Sequence, residues 1–119
     1  MIDPVTPTRF SGPDSEAIAA LNDRLRTTGT GGRVMASAGL QARGKPYVAL
    51  ALAAVAAFKA FDADNDPHGE RDAAMLDVGR DSVLFKIDYY DLSLTSHSPN
   101  PADPSVTERV MTVMLAEEY

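Results

Sequence analysis

The chain has 119 residues, of which 45% are hydrophobic, and carries a net charge of −6. That length gives one domain able to bury roughly 65% of its unfolded surface, and the apolar content excludes a disordered chain. The negative balance argues against a nucleic-acid binder held by phosphate contacts, which needs a basic face. The absence of cysteine removes disulfides, thiolate metal sites and cysteine nucleophiles.

Residues 1–12 contain Pro4, Pro7 and Gly12 and read as a flexible arm, with a single α+β domain over 13–119. Asp3 and Pro4 stand where a signal peptide would place basic residues, so none is expected, and a cytoplasmic location follows. Pro13 opens a first helix to about Arg26, with Ile18, Leu21 and Leu25 on one face. The glycines from Gly29 to Gly32 stop it. They lack the lysine and the strand-loop-helix context of a phosphate cradle. Arg33 to Ala38 reads as a strand. Gly39 to Gly44 is a connection.

Pro46 opens the second helix. Tyr47, Ala51, Ala54, Phe58 and Phe61 form one apolar stripe beside Val48, Leu52 and Val55. Such a wide arc predicts a central helix buried on most sides. The run from Pro46 to Phe58 is too short to cross a bilayer.

Ala73 to Val78 and Ser82 to Tyr90 predict a hairpin turning at Gly79-Arg80-Asp81. Alternation sends Val83, Phe85, Ile87 and Tyr89 to the core and Lys86, Asp88 and Tyr90 to the other face. Asp103 before Pro104 predicts a final helix, with Val106, Val110, Val113 and Met114 inward. The expected fold is α+β in the order α-β-α-β-β-α. Its sheet is three-stranded and mainly antiparallel, with helices on one face.

The chemistry concentrates between Phe61 and Asp72. Asp62, Asp64, Asp66, Glu70 and Asp72 crowd this turn-rich loop with His68, opposed only by Arg71. Clustered carboxylates persist when a cation, a basic partner or local hydrogen bonds compensate. From Asp64 the spacing follows a calcium loop up to Gly69 at its sixth position. It fails at Met75, where that loop needs a bidentate glutamate. A divalent cation on the 62–72 loop is thus the one cofactor the pattern admits, and self-capping Asx-turns are the simpler account. A metal-dependent hydrolase of phosphate esters would draw on these carboxylates with Asp88 and His68. No nucleophile-elbow or zinc spacing supports it, and both histidines, His68 and His97, lie in loops. The third reading is a partner-binding surface built from Asp62, Asp64, Asp66, His68, Glu70, Asp72, Asp88, Tyr90 and Asp91. There carboxylates steer a basic partner and tyrosine supplies contact area.

Three blocks, Thr30-Gly31-Gly32-Arg33-Val34-Met35, Asp64-Asn65-Asp66-Pro67-His68-Gly69-Glu70 and Lys86-Ile87-Asp88-Tyr89-Tyr90-Asp91, carry a resemblance. Asn100 to Thr107 and Met114 to Tyr119 extend it. Over about residues 17–119 the chain resembles a family of small uncharacterised bacterial proteins, often carried on plasmids and other mobile elements. That family has Glu-His-Asp-Phe-Gly after its Asp-Pro-His-Gly block. Here Arg71 stands for the histidine and Ala73-Ala74 for Phe-Gly, so a role resting on that histidine lacks its residue. The resemblance implies a small accessory factor of a mobile element. Its concrete form is a non-enzymatic protein-binding inhibitor of a host defence complex, of the anti-CRISPR type. No membrane or direct nucleic-acid contact is expected.

Overall fold

The computed structural model describes residues 14–119; the expected arm over 1–12 lies outside them. Helix α1 spans Ser15–Thr28 and ends where Gly29 enters the left-handed region at φ 75°. Its N–H then bonds the Leu25 carbonyl at 2.9 Å, a helix stop that glycine makes without strain. The buried stripe of α1 holds Ile18, Asn22, Leu25 and Arg26, while Leu21 is only half-buried. Two polar residues therefore sit on the face that the apolar spacing assigns to the core.

Strand β1, Arg33–Ala36, follows at once. Gly32 is required just before it, because a Cβ there would lie 2.5 Å from the Arg109 carbonyl oxygen. The short helix α2, Ala38–Gln41, is capped by Ser37, whose Oγ accepts from Leu40 N. Helix α3 spans Lys45–Ala57 with proline in its first turn.

The α3 expectation needs correction. Only Ala51 and Val55 of this helix are buried, and Leu50 is 54% exposed. Its neighbours are α1, α2 and the sheet, and no other described element packs on its outer side. Its C-terminal carbonyls are instead held by Arg26, whose Nη1 donates to Val55, Ala56 and Phe58 O at 2.9, 3.2 and 2.8 Å. A cation at this end also complements the helix dipole.

Strands β2, Ala73–Val78, and β3, Asp81–Tyr90, form the expected antiparallel hairpin. The final helix does not exist. Residues Glu108–Leu115 form strand β4, followed by a single 3-10 turn over Ala116–Glu118. Along β4 Arg109, Met111, Val113 and Leu115 are buried on one face, while β1 and β3 pair it on both sides. Val106, Thr107, Val110, Thr112 and Val113 are β-branched and favour the pleated sheet. Asp103 makes its cap-like bonds, to Ser105 N at 2.9 Å and Ser105 Oγ at 2.7 Å, within a turn.

The sheet therefore has four strands in the order β1-β4-β3-β2, not three mainly antiparallel ones. It is mixed: β4 pairs parallel to β1 and antiparallel to β3. The element order is α-β-α-α-β-β-β. Parallel pairing joins strands distant in sequence, which local patterns do not reveal. The core lies between the helices and one sheet face. Phe85, Val113, Val83, Leu25, Leu40 and Val55 are fully buried there. Phe58 and Phe61 stack edge-on, centroids 4.9 Å apart, and both meet Phe85. These rings anchor the base of the acidic loop. No helix among the described residues is long and apolar enough to cross a membrane.

Candidate functional site

Two of the five carboxylates of the 62–72 loop, Asp62 and Asp66, build the loop itself. Asp62 Oδ1 accepts from Asp64 N and Asn65 N at 2.9 and 3.0 Å, and Asn65 Oδ1 accepts from Asp62 N at 2.8 Å. Asp66 is 1% exposed and accepts the Arg71 amide at 2.9 Å. That bond fixes Arg71 in the left-handed region at φ 53°, a position a non-glycine residue seldom takes. The Arg71 side chain reaches back to Asp23 of α1, with Nη2 to Oδ2 at 2.8 Å. This hydrogen-bonded pairing raises the Arg71 pKa further above its ordinary value. Asp23 also pairs with Arg26 at 3.1 Å. The one cation of the loop is thus spent on fastening it to α1.

Glu70 turns inward. Its carboxylate accepts from the Tyr89 hydroxyl at 2.8 Å, and its carbonyl accepts from Asn22 Nδ2 at 3.0 Å. Asn22 Nδ2 also reaches the Tyr89 oxygen at 2.8 Å, while its Oδ1 accepts from Arg109 Nε at 2.9 Å. The Arg109 guanidinium lies 5.1 Å over the Tyr89 ring and donates to the Pro101 carbonyl. Burial pulls the Arg109 pKa below its usual value and pushes that of Tyr89 well above its own. Four side chains from four segments thus form one network, with each partner satisfied.

Beside the network lies a cleft of about 450 Å³ lined by Asp72, residues 87–90 of β3, and Thr95, Ser96 and His97 of the returning segment. Its origin is a gap along one edge of β3. Ile87 N donates to the Asp72 carbonyl at 2.7 Å, just ahead of β2. Further along, the 91–98 segment doubles back to pair with Tyr90, and Ser98 N donates to Tyr89 O at 3.0 Å. Between those two bonds the strand edge faces the cleft. Asp91 shapes the returning turn, accepting from Ser93 Oγ at 2.8 Å and Thr95 N at 3.0 Å. Those bonds hold its carboxyl below the usual range.

Burial raises the Asp72 pKa, and Glu70 and Asp66 add repulsion. No ion pair among the described residues engages Asp72. Asp88 pairs with Lys86 at 2.6 Å, and this bond raises the Lys86 pKa.

Of the nine expected site residues, Asp72, Asp88 and Tyr90 line the cleft. Asp62, Asp66, Glu70 and Asp91 are occupied as described. Asp64 and His68 lie exposed in the loop. Among the described residues no three His, Cys, Asp or Glu side chains stand in metal-holding geometry. Sequence reasoning missed Asn22 and Arg109, and placed His97 only in a loop. The available signal was a polar residue interrupting each apolar pattern.

A family model described as "Protein of unknown function (DUF3768)" matches residues 36–118. No curated protein and no solved structure matches the chain.

Proposed function

Because the chain belongs to the DUF3768 family, whose function is unknown, we propose from the geometry that it is a non-enzymatic binding factor for a basic protein partner. The cleft beside β3 receives a cationic side chain of that partner. The observation that carries this reading is that Asp72, Asp88 and Tyr90 line one cleft of about 450 Å³ at the edge of β3. A guanidinium is recognised by carboxylates and aromatic rings, and two aspartates and a tyrosine line this cleft. Asp72 leads, since Lys86 shares the charge of Asp88. The net charge of −6 steers basic partners toward the molecule. The concrete form is a small accessory factor of a bacterial mobile element, acting in the cytoplasm by occupying a basic, nucleic-acid-binding surface of a defence complex.

Titration of the labelled protein with acetyl-arginine amide, followed by NMR, tests the site. Shifts should concentrate on Asp72, Asp88 to Tyr90 and Thr95 to His97, and Asp72→Asn should weaken binding roughly tenfold. Shifts confined to Asp62 and Asp64, or an Asp72→Asn variant that binds as well as wild type, would remove the cleft from the reading. Crosslinking to a captured partner should then map to the same segments.

A further inference from the structure

Strand β1 is an outer strand of the sheet. Its register with β4 and the bond from Ser37 N to Val113 O at 2.9 Å show which groups the parallel ladder uses. Met35 and the Ser37 amide face β4. Alternate residues face the opposite way, so Val34 and Ala36 direct their N–H and C=O groups to the open edge. Gln41 Nε2 takes the Ala36 carbonyl at 2.7 Å. Proteins guard such edges with lysine, proline, a bulge or shortness. Among the described residues, shortness and the Gln41 bond are the guards this edge has. Val34 is 37% and Met35 53% exposed. The helix side of the edge continues as an apolar groove of about 480 Å³, into which Val48 and Leu52 of α3 project.

We propose that this edge binds a second copy of the chain, with the two β1 strands antiparallel about a two-fold axis at Met35. A second copy supplies hydrogen-bonding edge and apolar surface together. Charge favours the same arrangement. Arg33, its side chain 57% exposed, begins the strand. Glu118 sits at the other end, accepting from Ser37 Oγ at 2.6 Å and Gly39 N at 2.9 Å, with Glu117 beside it. The two-fold axis places Arg33 opposite Ser37 of the other copy, so the cation meets Glu118 twice over. Arg33 pairs with Glu108 at 3.3 Å, yet a guanidinium has five N–H donors and keeps some for the second copy. A parallel arrangement would set like charge against like. Within the opposite edge strand, β2, Asp77 is the only charge.

The absence of cysteine makes the test direct. In this pairing Met35 faces Met35 as a non-hydrogen-bonded pair with Cα atoms about 4.5 Å apart, within disulfide reach. Met35→Cys should therefore oxidise to a covalent dimer at micromolar protein, while Met75→Cys, at 58% exposure on β2, stays monomeric. Sedimentation equilibrium of the unmodified chain should show a reversible dimer, weakened about tenfold by Arg33→Glu. Crosslinking of Met75→Cys equal to that of Met35→Cys, a monomeric unmodified chain, or an Arg33→Glu dimer of unchanged affinity would each overturn the proposal. Sedimentation of the unmodified chain decides the question even if Met35→Cys folds poorly.

Discussion

Asp72 and Asn22 show how different two polar residues near one cleft can be. Burial raises the Asp72 carboxyl, so the folded state holds that proton at pH values where the unfolded chain has released it. Asp72 therefore costs stability once pH has risen through its raised folded value, and the cost fades as pH falls toward the unfolded value of 3.8. Asp72→Asn should accordingly raise Tm at neutral pH and lose that gain in acid, as thermal melts across pH would show. Ligand binding should run the other way: an ionised Asp72 is needed, so arginine binding is lost on acidification. Asn22 is fully buried and joins Glu70, Tyr89 and Arg109. Asn22→Ala leaves the Arg109 Nε–H without its acceptor and should cost about 2–4 kcal/mol in chemical denaturation. A cost below about 0.5 kcal/mol would mean that water replaces the amide readily.

At the scale of elements, β4 and α3 divide stability unequally. β4 is paired on both sides, by β1 and β3, and its alternating side chains fill the core. Its amides should be among the slowest to exchange with solvent, and those of the edge strand β2 faster, because global opening is needed to free an inner strand. α3 is apolar all round yet rests on the sheet by one side. Leu50→Glu should therefore stay within about 0.5 kcal/mol of wild type. Val55→Thr, which buries a hydroxyl at nearly constant volume, should cost about 1–3 kcal/mol. Equal costs at both positions would show that a hidden partner covers the outer face of α3, which the proposed β1 dimer does not require.

For the whole molecule, charge acts at long range. A partner attracted by net charge and then held in the cleft should bind more slowly as salt rises, since screening shortens the reach of exposed charges to about 8 Å at physiological ionic strength. Association rates measured from low to high salt should fall much more than dissociation rates rise. A salt-independent association rate would separate the cleft from any steering by net charge.

The sequence by itself determined α1, the start of α3, the β2–β3 hairpin and the faces of β3. These are local: capping, turn chemistry and alternation act within a few residues. It also marked Asp72, Asp88 and Tyr90, though among six others whose bonds within the fold could not be read from composition. Tertiary structure decided the rest. Residues 106–115 satisfy a helical spacing and a strand alternation at once, and only pairing between β1 and β3 selects the strand. The breadth of the apolar arc on α3 implied a covered helix, but cover depends on how many neighbours the layer supplies. The cleft exists because the 91–98 turn and the start of β2 both stop short on the same edge of β3. That gap is a property of pairing between distant segments, and no window along the chain contains it.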